Sequence, residues 1–570
     1  MRTSEPLSIV YQEPPHVPDY IGVPEPLVQK LIKLYFSHVY NSHLLLHEPS
    51  FMHERSLGLI KTHVVLSVCA WGAIFYRDHD GQATLIDHGF AREWATRAGQ
   101  LVLSEIESPH EDNVVTCAHL HLFWYTRGSW RRSYIYKGNA IQTAHILNLA
   151  GTRRSKSSDL AAEISRRRFW ACYLINCHSS ESIFAINSLK KVSSLALPWH
   201  DADFEKGVSS TAPDTLESDS PSGSMYAEVI RAMTQWSSVN ALINVKDSPM
   251  DERINSMHQL DAKVRDWWAR VPASLCLDAD TLACTQSVPI PKLLLINVAY
   301  HQCLCALHSS VVPLFSWGPS TSAPAFTRQI SAQIAYDSSC AITQLLDLAS
   351  VRGEDVSNYP SFIGFAAYCS FAVQAPFKWC LDPAVRERAD RIGTANMNVI
   401  TKMAKYWRSI ALLEIYATYI TQMHMQNQPG LEGEPKVTSP AKLKGFSIEA
   451  SLARRTILTM NSILWKDDGA YAIEGEEVTV ISPEGLTQGT DLQHGSNSTE
   501  GTTLVTTNIE PHETYHMPLI DTTGGVFSSD GLGDFFQPIL NASSMFHAFA
   551  DDFNFDMLSN NLYTESGAAH

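Results

Sequence analysis

An all-α fold is what this sequence predicts, and three observations predict it. From Leu27 to about Leu464, apolar residues recur at helical spacing. Alternating strand patterns bounded by turn dipeptides are scarce over the same span. Apolar residues make up 45% of the 570-residue chain and charged residues 18%, the balance of a chain that buries a core. A chain of this length is expected to divide into more than one structural unit.

The elements follow in order. Residues 1–26 carry Pro6, Pro14, Pro15 and Pro18 and no apolar stretch of signal-peptide length, so they read as a flexible leader. Leu27, Leu31, Leu34, Phe36 and Val39 form an apolar stripe directly after Pro24 and Pro26, which predicts the first helix. Further helices are expected at 60–77, 86–106, 111–127, 134–149, 160–187, 225–245, 251–270, 292–308, 328–350, 361–380, 394–425 and 446–465. The apolar window Thr62 to Tyr76 lies between Lys61 and Arg77. At 1.5 Å per residue it falls short of a hydrocarbon core about 30 Å thick, so it reads as a buried helix rather than a membrane span. Stretches rich in Ser, Pro or Gly at 208–224, 316–327 and 427–442 read as surface loops within one helical body, 27–466. Eleven cysteines without regular spacing suggest free, mostly buried thiols.

Charge divides the chain more sharply than hydropathy does. The net charge is −16, yet all 43 Lys and Arg precede Asp467 while 17 of the 59 acidic residues follow Lys466. The body is left near neutrality and the tail, 467–570, carries no cation. Gly, Ser, Thr, Asn and Asp dominate that tail, which is expected to be disordered when alone. Its last part, 532–563, interleaves Phe535, Phe536, Phe546, Phe549, Phe553, Phe555 and Leu558 with Asp551, Asp552 and Asp556. Acid keeps the aromatics in water, and Phe546, Phe549, Phe553 and Met557 would form one stripe on a partner-induced helix, which is how an acidic activation segment works. The competing reading is a terminal helix docked on the protein's own body.

Five segments of the body carry a family resemblance. They are LIKLYFSHVYNSHLLLHEPSF (Leu31 to Phe51), GNAIQTAHILNLAG (Gly138 to Gly151), EISRRRFWACYLINC (Glu163 to Cys177), LPWHDADF (Leu197 to Phe204) and YHQCLCALHSSV (300–311). In this order, over roughly 30–380, they resemble the fungus-specific transcription factor domain, the helical regulatory region of fungal zinc-cluster regulators. Asn176 and Cys177 stand where that family has Asp and Arg, and Ser309 and Ser310 where it has Arg and Pro. The resemblance implies an all-helical regulatory body without a catalytic centre, in a nuclear regulator of transcription. It also implies a DNA reader, but the cysteines from Cys69 onward match neither a six-thiolate cluster nor a zinc finger. The reader is therefore expected outside this chain or lost.

Other constellations weigh less. HETYH, His512 to His516, matches the H-E-x-x-H zinc metallopeptidase string, but Pro511 and Pro518 flank it and no apolar helix preorganises the ligands. His301, Cys305 and His308 share a helical face interleaved with Leu304, Leu307, Val311 and Val312, the pattern of a core with satisfied histidines. Arg153, Arg154 and Lys156 with Arg166, Arg167 and Arg168 read as an import signal, the latter three otherwise as a solvated face with carboxylate partners. The leading expectation is thus a nuclear, non-enzymatic regulator or coregulator of a metabolic gene set, a secondary-metabolite cluster being one form of it. It is expected to bind no cofactor, metal or membrane. Its partners would be coactivators and a DNA-binding transcription factor, with homodimers and heterodimers both open. The rival class is a small-molecule sensor or enzyme with a pocket inside the helical body.

Overall fold

The computed structural model describes residues 22–151, 159–178, 192–210, 214–218, 223–244, 249–277, 290–316, 323–353 and 355–445. These residues form helices and connections, with no strand among them. The N-terminal half comprises α1 (Glu25–His38), α2 (Ser42–Leu45), α3 (Glu48–Ser56), α4 (Thr62–Phe75), α5 (Thr84–Asp87), α6 (Phe90–Ser104), α7 (Glu111–Thr126), α8 (Trp130–Ile146), α9 (Leu160–Cys177) and α10 (Asp201–Lys206). The rest comprises α11 (Met225–Ile243), α12 (Met250–Arg270), α13 (Ile290–Ser309), α14 (Pro313–Ser316), α15 (Ala325–Val351), α16 (Ser361–Gln374), α17 (Pro383–Ala404) and α18 (Arg408–Gln426).

Local chemistry starts several of these helices. Asp159 accepts from the Ala162 amide at 2.7 Å ahead of α9, and Asp382 accepts from the Ala384 amide at 2.9 Å ahead of α17, where Pro383 takes the first helical position. Helix α4 is apolar on nearly every side and is buried between α1, α6 and α7. It crosses α1 at Gly72, where a Cβ would lie 2.2 Å from the Leu31 carbonyl oxygen. Only glycine permits that approach. Helix α13 is long and apolar enough to cross a membrane, but 83% of its apolar window is buried, and it packs against α11, α12, α15 and α16. It is the central core helix of the second half. α9 joins the halves by packing on α2, α7 and α8 and on α11.

Four expectations are corrected. The single helix predicted over 394–425 is two helices, α17 and α18, because Trp407 adopts an extended backbone and turns into the core beside Tyr125. The helix predicted from 86 begins at Phe90, after Gly89 takes a left-handed φ of 80° that ends the short α5. The α-helix predicted to 380 ends at Gln374 and continues as a 3-10 turn over Ala375–Trp379. The stretch 427–442 is no loose excursion: Leu431 and Thr438 are fully buried, and Gln329 of α15 donates to the carbonyls of Pro435, Lys436 and Thr438. Of the 316–327 stretch, Ser316 belongs to α14 and 325–327 to α15. The helix expected at 446–465, the leader up to residue 21 and the tail from 467 lie outside the described residues.

Ten cysteines are free thiols, eight of them buried, with no disulfide among the described residues. Buried histidines shape the core as neutral groups. The His119 ring bonds Tyr35 Oη at 2.7 Å and Ser67 Oγ at 2.9 Å, tying α1, α4 and α7 together. Burial pushes His119 and His121 down to about 3.

Two outcomes are expected. Gly72→Ala should cost about 1–3 kcal/mol by forcing α1 and α4 apart, read as a drop in thermal midpoint by circular dichroism with helicity retained at low temperature. An unfolded histidine takes up its proton below pH about 6.5, whereas folded His119 and His121 resist it until about 3. The unfolded state therefore binds more protons in this window and stability falls with pH. The loss is about 1.4 kcal/mol per pH unit per histidine, or about 2 kcal/mol each at pH 5. Urea midpoints measured at pH 7 and pH 5 check this.

Candidate functional site

Residues of three of the five sequence motifs, 31–51, 163–177 and 197–204, converge on one buried guanidinium, that of Arg167. Helix α9 is laid down with Glu163, Arg166 and Arg167 on its inward face, and Glu163 and Arg167 are both 0% exposed. Glu163 accepts from Arg166 Nε and Arg167 Nε, each at 2.8 Å, and from the Trp199 amide at 2.9 Å. Arg167 donates onward to the carbonyls of Trp199 at 2.8 Å and His43 at 3.3 Å, and reaches Asp201 at 3.5 Å. Its plane lies 3.8 Å from the Phe204 ring centre, and Tyr226 stands at 5.3 Å. His47 closes the cluster edge-on to Phe204 at 4.7 Å. Lys292 of α13 reaches Asp201 at 3.2 Å over the Tyr226 ring at 4.0 Å. Burial acts to raise the Asp201 carboxyl, but Lys292 and Arg167 outweigh it and hold it below its ordinary value.

This corrects the expected solvated face: Arg166 and Arg167 are buried and committed to Glu163, and Arg168 pairs with Glu111 at 2.9 Å. Folded α9 offers none of the three as an open basic patch. The import-signal reading then rests on Arg153, Arg154 and Lys156, which lie outside the described residues, as do HETYH and every residue of the 532–563 segment. The departures from the family pattern are accommodated without ion pairs: Cys177 and Ser309 are buried, and Ser310 donates to the Leu307 carbonyl at 2.7 Å. The His301, Cys305 and His308 face is also core: Cys305 is buried, and His308 bonds Ser331 at 3.1 Å and Asp261 at 3.1 Å. The one group with metal-ligand proximity among the described residues, Asp78, His79 and Asp80, sits on a surface turn.

From this hub the chain runs into a cleft of about 340 Å³. The Leu197 amide donates to the Asp214 carbonyl at 2.6 Å, and Asp214 pairs with Arg231 at 2.5 Å. Arg231 also pairs with Glu228 and donates to the Thr215 carbonyl at 2.8 Å, pinning 214–218 against α11. Glu228, Arg231 and Gln235 of α11 and Lys263, Trp267 and Arg270 of α12 line facing walls, with Leu216 between them. Burial raises the Glu228 carboxyl above its ordinary range even though Arg231 and the Trp267 indole pull it down. Sequence reasoning did not find this cleft. Its signal is a polar stripe at 228, 231 and 235, spaced i, i+3, i+7, on an otherwise apolar buried helix.

Residues 32–269, which contain the cleft's helical wall residues but for Arg270 and all of the hub but Lys292, match the family model described as the fungal specific transcription factor domain. A Zn(2)-C6 fungal-type transcription factor FTF1c of Fusarium oxysporum f. sp. lycopersici is 25% identical over 418 residues, 66% of this chain and 44% of the relative. FTF2 of the same organism, also a Zn(2)-C6 fungal-type transcription factor, is 30% identical over 166 residues, 27% of this chain and 15% of the relative. A transcriptional regulatory protein of Schizosaccharomyces pombe is 27% identical over 182 residues, 29% of this chain and 18% of the relative. The chain spans about half the length of the curated relatives it matches over most of its body. No solved structure matches it.

Replacing Glu163 by Ala strands two guanidiniums in the interior and should cost about 3–5 kcal/mol, while Lys292→Met, acting on an Asp201 that is 39% exposed, should cost far less. Urea unfolding of the two variants gives the order.

Proposed function

From the premise that residues 32–269 form a fungal specific transcription factor domain, we propose that this protein is a nuclear, non-enzymatic regulator or coregulator of transcription. The domain match carries this reading. The helical body is its regulatory part, and the acidic 467–570 region supplies the activating function through 532–563. Supporting that division are the names of the relatives, which are those of transcription factors, and the charge split at Lys466. Aromatic and acidic residues interleave in the tail without a single Lys or Arg. A metabolic gene set is the proposed target, coactivators and a DNA-binding transcription factor are the proposed partners, and Arg153, Arg154 and Lys156 are the proposed core of an import signal.

Recruitment of a coactivator would draw its free energy from aromatic burial, about 1.5–3 kcal/mol per fully buried Phe, less the cost of ordering the segment. Acid would steer and solubilise. Residues 525–570 fused to a foreign DNA-binding module should therefore drive a reporter, and Phe549→Ala with Phe553→Ala should silence it far more than Asp551→Asn with Asp552→Asn. Full activity in the aromatic double variant contradicts this reading. So does an inert fusion together with a fall of several degrees in the melting temperature of the chain when 525–570 are deleted, which identifies a structural lid.

Autonomous recognition of DNA is not proposed, because the basic groups of α9 are spent inside the fold and the body is near neutral. Binding of duplexes to the full chain, followed by fluorescence anisotropy, should be weak, steeply salt-dependent and indifferent to sequence. A salt-tolerant nanomolar complex with one sequence is the contrary result.

A further inference from the structure

The segment 427–442, latched to α15 as a strap, carries a sequence signal that the fold alone does not use. Ser-Pro occurs in this chain at Ser108, Ser220, Ser248, Ser439 and Ser482. Ser439 alone has a cation three positions on, Lys442, where the others have Glu111, Gly223, Asp251 and Gly485. Proline-directed kinases read such a string physically: proline brings no N–H to leave unpaired beside the reacting hydroxyl, and the cation meets acid on the kinase. Ser439 is exposed, holds an extended backbone with φ −57° and ψ 130°, and makes no capping bond to the turn that follows it. Its neighbour Thr438 is the opposite. It is fully buried, its hydroxyl donates to the Gly433 carbonyl at 2.9 Å, and its own carbonyl accepts from Gln329 at 3.0 Å. The Lys436 amide donates to Gln333 at 2.8 Å. Lys442 closes the strap on itself by pairing with Glu432 at 2.5 Å and donating to the Gly430 carbonyl at 2.8 Å. The Ser439 backbone N–H faces that same Glu432 carboxylate.

We propose that Ser439 is a phosphorylation site for a proline-directed kinase and that its phosphate releases the 427–442 strap from α15. A kinase grips its substrate as an extended strand, so Thr438 and the carbonyls held by Gln329 must come free before Ser439 reaches the active site. Latching and phosphorylation therefore exclude each other. In the transfer Ser439 Oγ forms a bond to the γ-phosphorus of ATP, the bond from that phosphorus to the ADP oxygen breaks, and the hydroxyl proton passes to the kinase's base. The phosphate brings a charge of about −1.5 to −2 at pH 7. Beside Glu432 it repels that carboxylate and competes with it for Lys442 through strong charge-assisted bonds. Lys442 then leaves Glu432 and the Gly430 carbonyl, and the strap does not relatch. This control point stands whether or not 532–563 activates transcription.

Treatment of the full chain with ATP and a catalytic amount of a cyclin-dependent kinase, which is proline-directed and selects a cation three residues after the serine, tests the proposal. Peptide mass spectrometry is expected to find at least tenfold more phosphate on Ser439 than on any other Ser-Pro site, and Ser439→Ala removes it. Lys442→Ala should slow the modification about tenfold, and Lys442→Arg should restore it. Gln329→Ala, which frees three strap carbonyls without touching the kinase motif, should speed it severalfold, and Gln333→Ala should act in the same direction. Circular dichroism checks that both variants keep their helices. Hydrogen exchange over 427–442 should quicken in the phosphorylated chain and stay unchanged in kinase-treated Ser439→Ala. An unmodified Ser439, a rate indifferent to both latch variants, or unchanged exchange in the phosphorylated strap each overturn the proposal.

Discussion

The fold depends on the burial of the Arg167 guanidinium. A lone cation in an interior is prohibitively costly, so its surroundings must supply a carboxylate, carbonyl oxygens and aromatic faces in one fixed arrangement. Glu163 provides the charge from one turn earlier on the same helix, and the remaining donors are met by carbonyls of His43 and Trp199. Phe204 and Tyr226 cover the plane. Four separate stretches of chain must therefore be in place before the charge is satisfied. The arrangement specifies how those stretches meet, because any register that displaces one of them leaves Arg167 with an unmade bond.

The same logic passes outward from the hub. Trp199 gives its amide to Glu163 and its carbonyl to both Arg167 and Ser224, the residue that caps α11. Two residues earlier Leu197 holds Asp214, which anchors Arg231. A chain of charged and backbone contacts thus runs from the interior of the N-terminal helices to the cleft wall, and the cleft inherits its shape from it. In the second half, neutral groups play the corresponding part: Thr343, Ser370 and Asn396 bond one another between α15, α16 and α17, and Gln374 bonds Ser339 at 2.6 Å. Uncharged hydroxyls and amides carry a smaller desolvation cost than ions and tolerate a denser apolar setting.

Function divides along the same lines as charge. Arg167, Arg168 and Arg231 are committed to internal carboxylates, and the body as a whole is near neutral, so it carries no net attraction for a polyanion. The uncompensated acid of the chain lies beyond Lys466, where 17 of the 59 acidic residues stand without a Lys or Arg. The regulatory role proposed for the body and the activating role proposed for the tail would therefore fall to separate residues.

Periodicity alone determined that this chain is helical, because a 3.6-residue repeat of apolar groups is a local property that survives any tertiary arrangement. The apolar run of α4 and the proline-led start of α1 were legible because they too are local, and the free buried thiols because eleven cysteines stand without regular spacing. What periodicity does not contain is where a continuous helical pattern breaks. The separation of α17 from α18 follows from Trp407 packing beside Tyr125, a contact across 282 positions of sequence. Nor does it tell a solvated arginine from a buried one: Arg166 and Arg167 look like surface charge until Glu163, three and four residues earlier, is seen to face inward with them. Three of the five motifs meet at Arg167, but that meeting point, and the cleft that the polar stripe of α11 makes with α12, exist only once distant segments pack. Burial assigns the charges their partners, and burial is decided by the tertiary structure.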